Sequence, residues 1–274
     1  MLEALLAGVF GLVIGSFLNV CIFRWPRDLS VVRPRSFCPQ CEKTIAWHDN
    51  IPVISYLWLR GSCRHCGFRI PIRYLLVELL TGILFFSFVA ALGLGVHAFK
   101  FCLLSALLIG MIFADLEERI LPDELTLGGA VAGVVLAWWV PVGDGLVRVI
   151  LSLLDKHLDP RADSVAESVL GAAVPSLFLW LVGFLFEKIR HKEGLGFGDV
   201  KMMATLGAFL GLRETLFILI VGSLLGSVLG LAFILLARKE SSTYELPFGS
   251  FLGVSAIGVC LWGQNVVGWY GRLF

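Results

Sequence analysis

Between Leu2 and Phe23 the chain carries one charged residue, Glu3. A helix apolar on every face suits a lipid surrounding or a large core, and at about 1.5 Å per residue this run reaches across a hydrocarbon layer about 30 Å thick. Further apolar segments run over Tyr74–Leu94, Phe99–Asp115, Glu124–Val140, Ala166–Phe186, Val200–Leu212, Thr215–Ala237 and Pro247–Tyr270, the one at Val200 being short. With 58% hydrophobic residues, 16% charged residues and a mean hydropathy of +0.88, an ordinary soluble domain is excluded. The expected fold class is an all-α polytopic membrane protein of about eight transmembrane helices. Basic residues follow the first run instead of preceding it, so it reads as a retained helix and not as a cleavable leader.

Orientation follows from lysine and arginine. If the amino terminus lies outside the cytoplasm, the inward segments Arg24–Arg73, Leu116–Pro122, Glu187–Lys201 and Arg238–Glu245 carry sixteen of the 22 basic residues. That asymmetry places both termini outward. The net charge of +1 points to no nucleic-acid partner; the basic residues gather where cytoplasmic lipid would lie. The organisation expected is a first helix over 1–23, a cytoplasmic domain over 24–73 and a seven-helix membrane body over 74–274. The stretch 142–165 contains "GLVRVILSLLDKHL", which reads as an amphipathic interfacial helix. Gly222, Gly226 and Gly230 recur on one helical face and favour close helix contact. No internal repeat is apparent.

The 24–73 segment holds "CPQC" at Cys38 and Cys41 and "CRHC" at Cys63 and Cys66. Two such knuckles offer four thiolates to a tetrahedral ion, for which zinc is the natural guest. The alternatives are two disulfides or free thiols, but a cytoplasmic loop is reducing, and fifty residues without a core gain much from a metal clip. A closed four-sulfur site is structural, not catalytic. His65 is an alternative ligand. Cys21, Cys102 and Cys260 sit singly in apolar runs and read as packing residues.

Acids in or beside membrane spans are costly, so each asks for a reason. Asp123 precedes a helix and reads most simply as its N-cap; Glu78 suits an ion pair with Arg73 or Lys201, or a substrate contact. Asp199 lies among glycines in "GLGFGDVKMM", where Gly196 and Gly198 suit a sharp turn or the approach of another backbone. Asp115 falls in the last turn of a helix, where the macrodipole disfavours a negative charge. Two carboxylates on different helices at one depth suggest an aspartyl protease dyad, one ionised and drawing a proton from water, the other protonated and polarising the scissile carbonyl. The helix ends favour the proton on Asp115 and the base at Asp199. A proton-relay transporter would step its acids across the bilayer, whereas these cluster at one face; a non-enzymatic secretion assembly factor would not need them.

"GSFLNVCIFRWP" (Gly15–Pro26), "WHDNIPVISYLWLRG" (Trp47–Gly61) between the knuckles, "YLLVELLTG" (Tyr74–Gly82), "DLEERILPDELTL" (Asp115–Leu127), "GLGFGDVKMMATLGAFLG" (Gly194–Gly211) and "LPFGSFLG" (Leu246–Gly253) together resemble the bacterial type IV prepilin peptidases, the GxGD aspartyl proteases of pilus and type II secretion systems. The resemblance covers nearly the whole chain. It implies that Asp115 and Asp199 are the catalytic pair, that the substrate is a prepilin or pseudopilin with a short basic leader, and that the new amino terminus is methylated from S-adenosylmethionine. It also implies residence in the bacterial inner membrane, with the cysteine loop and active site facing the cytoplasm and pilus or secretion machinery as partners. A peptidase of the same class without methyltransferase activity, as in archaeal preflagellin peptidases, is the nearer alternative, although those lack the cysteine loop. Asn19, His48, Asp49, Asn50 and Glu78 are polar and near the same face, but the sequence assigns none of them to a methyl donor.

Overall fold

A computed structural model describes residues 1–143, 145, 147, 149, 159–191, 195–237 and 247–270. It is helical, and its described residues form two compact units, Met1–Ala114 and Asp115–Phe274. The expected interfacial helix over 142–165 has its centre, 150–158, outside the described residues.

In the first unit, α1 (Leu2–Arg24) packs along α3 (Arg73–Leu92). The contact is close because α1 presents glycine: a Cβ on Gly15 would stand 2.7 Å from the Glu78 Cα. The helix passes into a 3-10 turn, Trp25–Arg27, with Pro26 in its first positions. Buried Arg24 donates to the carbonyls of Ser30 and Pro34, both at 2.8 Å, and pins the start of the cysteine segment. Between the knuckles lie a 3-10 turn, Trp47–Asn50, and the short helix α2 (Ile54–Trp58).

The knuckles are two copies of one device. In the first, Cys38 N–H donates to Lys43 O, Glu42 N–H to Cys38 O and Ile45 N–H to Ser36 O. The second makes the same three bonds, from Cys63 to Phe68, Gly67 to Cys63 and Ile70 to Gly61, and each copy carries one antiparallel bridge, Phe37 with Thr44 and Ser62 with Arg69. Residues 36–45 and 61–70 are therefore a structural repeat without a repeat in sequence. Little but the cysteines and a closing isoleucine is shared in sequence, because backbone bonds and not side chains define the turn.

α4 (Val96–Glu118) carries its last turn, from Asp115, into the second unit. There follow α5 (Asp123–Leu136), α6 (Pro160–Arg190), α7 (Phe197–Leu210), α8 (Leu212–Ala237) and α9 (Phe248–Tyr270). The most enclosed of these is α7, with Met202, Met203, Thr205, Leu206 and Ala208 fully or almost fully buried. It packs on both α5 and α6. A Cβ on Gly207 would overlap the carbonyl of Gly171, so the α6 and α7 backbones touch. Polar bonds tie the same seams: Ser168 Oγ donates to Ala208 O at 2.7 Å and Thr205 Oγ1 to Thr126 O at 2.6 Å. Gly222 and Gly226 of α8 face Leu252 and Phe251 of α9, as the glycine spacing predicts.

Each of the eight apolar segments forms a helix, and among the described residues five helices, Leu2–Arg27, Arg73–Leu92, Val96–Glu118, Pro160–Arg190 and Leu212–Ala232, are long and apolar enough to cross a membrane. By contrast α5 and α7 have 14 residues each, about 21 Å of helix. Large apolar side chains cover the outside of the long helices, among them Leu6, Phe10 and Phe17 on α1 and Leu177, Phe178 and Leu181 on α6. Such surfaces are stable against lipid. The protein is an all-α, multi-pass membrane protein.

Candidate active site and metal centre

Asp115 projects from the last turn of α4 and is 6% exposed; Asp199 is 9% exposed and is the third residue of α7, within its first turn. The two meet at the start of α9. A Cβ on Gly249 would lie 3.0 Å from Asp199 Oδ1 and 3.2 Å from Asp115 Oδ2, so both oxygens converge on one backbone position. No side chain other than glycine's leaves that space open. The next residue, Ser250, donates twice to Asp115 Oδ2, from its N–H at 2.7 Å and its Oγ at 2.8 Å. Both carboxylates thus lie at helix N-termini, Asp199 at its own and Asp115 at that of α9, where N–H groups lack intrahelical partners and negative charge is favoured. Leu121 lies against the positions of Gly198 and Gly249, at 3.1 and 3.2 Å from the Cβ each would carry.

Neighbouring expectations change. Pro122, not Asp123, is the N-cap of α5; Asp123 is the first helical residue and binds Lys201 Nζ at 2.5 Å. Gly196 is the N-cap of α7 with φ −68° and ψ 135°, a conformation open to any residue, so its value is not a sharp turn. Ser250 and Gly249 escaped the sequence reading. They carry no charge, and the available signal was a small residue pair just after Pro247 at a helix start.

In the first unit, the Sγ atoms of Cys38, Cys41, Cys63 and Cys66 all lie within 4.8 Å of one another, and those of Cys38 and Cys66 are 3.7 Å apart. A tetrahedral ion with sulfur at about 2.3 Å needs its ligand sulfurs about 3.8 Å apart, so the donor set fits zinc. The backbone N–H groups of Cys66 and His65 bring the Cys63 thiol down to about 7, while Cys66, against the pull of the Phe68 backbone, is pushed up to about 12 by desolvation and the neighbouring thiols, as expected where crowded thiols share protons. His65 is not among the clustered ligands. Arg64, inside the second knuckle, grips Asp49 with two bonds, Nε to Oδ2 at 2.8 Å and Nη2 to Oδ1 at 2.5 Å, and holds that carboxyl below its usual range.

Beneath the knuckles is a cavity of about 190 Å³ whose lining includes Asn19, Asp49, Asn50 and Glu78. Four of the five polar residues left unassigned by sequence are gathered there; His48 is not part of the lining. Glu78 Oε2 accepts the N–H of Val53 at 2.7 Å, while Lys201 is held by Asp123. Val53 itself has φ +62° and ψ −52°, and Ile54 N–H bonds Pro52 O at 2.6 Å, the positive-φ form of the γ-turn. For a β-branched residue this is strained backbone.

Fold and site together define a class: a multi-pass membrane protein that pairs two carboxylates on separate helices and carries a four-thiolate loop. Residues 9–92 match the bacterial peptidase A24 N-terminal domain, and residues 102–231 match the type IV leader peptidase family. A prepilin leader peptidase/N-methyltransferase of Myxococcus xanthus (strain DK1622) is 40% identical over 237 residues, 86% of this chain and 65% of that protein. The proteins of the same name from Aeromonas hydrophila and Xanthomonas campestris pv. campestris are 35% and 36% identical over 286 and 290 residues, spanning 96% and 97% of this chain and 91% and 93% of theirs. No solved structure matches. The chain belongs to the type IV leader peptidase family.

Proposed function

We propose that the protein is an aspartyl endopeptidase of the bacterial inner membrane. It removes the short basic leader from type IV prepilins or type II secretion pseudopilins and methylates the exposed amino terminus from S-adenosylmethionine. The observation that carries the peptidase reading is the convergence of Asp115 and Asp199 on Gly249. Glycine there lets both carboxylates close on one backbone position that any Cβ would crowd. One carboxylate takes a proton from water as it attacks the scissile carbonyl, and its protonated partner stabilises the oxyanion and then supplies the leaving amine with a proton. Two Ser250 donors fixed on one Asp115 oxygen suit an accepting carboxylate. That favours Asp115 as the base and Asp199 as the carrier of the shared proton, the reverse of the division the helix ends suggest in sequence.

The basic-residue asymmetry supports a cytoplasmic position for the four-cysteine domain and the dyad, at the face where a basic leader waits while the pilin helix stays in lipid. Zinc bound by Cys38, Cys41, Cys63 and Cys66 would hold that domain together. Pilus or secretion machinery would receive the processed product. Purified protein incubated with a prepilin and labelled S-adenosylmethionine tests both activities, with leader loss and label uptake followed separately. Asp115→Asn and Asp199→Asn are each expected to insert and fold but to lose cleavage by roughly 10²- to 10⁴-fold. A folded Asp199→Asn enzyme that still cuts prepilin rejects the dyad, and cleavage with no label uptake rejects the methyl transfer.

A further inference from the structure

The cavity beneath the cysteine knuckles has the marks of a ligand site. Asn19 is 2% exposed and lines it. Its Nδ2 donates to Tyr74 O at 3.0 Å, but its buried Oδ1 has no hydrogen-bond partner among the described residues. An acceptor left dry is destabilising, and it is relieved by a donor brought in with a ligand. Glu78 sets a buried carboxylate in the same wall, and Phe23, Tyr56 and Tyr74 add aromatic surface. At roughly 10–15 Å³ for each water-sized group, 190 Å³ holds on the order of a dozen or more such groups, the size of a nucleoside. The lining residue Glu78 is held by the N–H of Val53, the centre of the strained γ-turn just outside the cavity. Strain of this kind persists where surroundings over-determine it and concentrates at ligand clamps.

We infer that this cavity is the binding site for the methyl donor, an adenosyl sulfonium. Asn19 Oδ1 would accept from a base or ribose donor, Glu78 would face the cationic end, and the aromatic rings would lie against the purine or the sulfonium. The inference rests on the reading that the protein transfers methyl groups. In that transfer a neutral amine nitrogen attacks the methyl carbon and the C–N bond forms. The C–S bond breaks with its electron pair left on sulfur as a thioether, and the proton lost from nitrogen passes to solvent.

The test is binding of tritiated S-adenosylmethionine to the full, zinc-loaded chain in detergent, by equilibrium dialysis and by ultraviolet cross-linking with peptide mapping. Cross-links are expected within residues 16–24, 49–56 or 71–78. Glu78→Gln keeps size and an oxygen for Val53 N–H; Asn19→Leu removes the dry acceptor. Each is expected to raise the donor Kd at least tenfold, with zinc content and melting transition unchanged. If Asn19→Leu loses its zinc, Glu78→Gln alone decides. Cross-links confined to residues 115–270, an unchanged Kd in Glu78→Gln, or a co-purified lipid that the donor does not displace would each overturn the assignment. A wild-type protein that binds no donor and labels no pre-cut pilin would instead remove the methyl-transfer reading beneath it.

Discussion

Ser250 reaches Asp115 through two atoms, and only one of them can be removed by an ordinary substitution. Ser250→Ala deletes the Oγ bond at 2.8 Å and leaves the N–H bond at 2.7 Å. A hydrogen bond to a charged group contributes about 1.5–3 kcal/mol, so kcat for prepilin cleavage is expected to fall at least tenfold while KM stays near wild type. A raised KM with kcat unchanged would show that the hydroxyl shapes substrate binding instead. Gly249→Ala is expected to be harsher, because its methyl would enter the space both carboxylates face; steady-state cleavage by folded protein measures this. At this scale the acids were legible because charge in oily sequence is conspicuous. Ser250, Gly249 and the dry Asn19 oxygen were not, since their significance lies in what stands opposite them. Asp123 was misread as a cap because a helix start shifted by one residue turns a cap into an ion-pair partner, here of Lys201.

The knuckle repeat gives an internal control that a single turn would lack. Glu42 sits at φ +57° where the equivalent residue of the second copy, Gly67, sits at φ +71°. Left-handed backbone costs a non-glycine residue about 1–2 kcal/mol. Glu42→Gly should therefore tighten the first knuckle and Gly67→Ala should loosen the second by about 1 kcal/mol, read as opposite changes in amide-exchange protection of the metal-loaded loop. The seam between α6 and α7 is less forgiving. Gly207→Leu would drive a side chain into the Gly171 backbone, and loss of folded protein in detergent is the expected outcome, whereas a leucine on an exposed α6 position such as Val182 should be tolerated. The apolar segments announced every one of these helices. Hydropathy marked α7 as short but did not reveal that α5 is, because the turn ending α5, at Ala137, is as oily as the helix.

For the whole molecule, the two units carry separable chemistry: thiolates and cavity in Met1–Ala114, carboxylates in Asp115–Phe274. Metal analysis is expected to find one zinc per chain, and chelation should abolish amide protection across residues 36–70 before it disturbs α5 to α7. Simultaneous loss everywhere would mean that the metal supports the fold as a whole. Sequence singled out both groups of residues that the fold gathers, since cysteine spacing and intramembrane acids are local signals. It did not locate the cavity, which draws on residues from α1, the inter-knuckle turn and α3 that only packing brings together.

The shortness of α7 bears on the supply of water. Hydrolysis consumes a water molecule for each bond cut, and oil holds almost none. A helix of 14 residues, about 21 Å long, falls short of a hydrocarbon layer about 30 Å thick. α5, of the same length and packed against it, exposes Leu127, Val131 and Val135, so the bilayer beside the pair must thin, or admit headgroups and solvent, at a modest cost for each ångström of mismatch. Asp199, at the head of that helix, would then stand where the membrane surface dips to meet it. The lipid becomes a regulator of turnover: in vesicles of lengthening acyl chains, cleavage should slow while the bound zinc is unaffected.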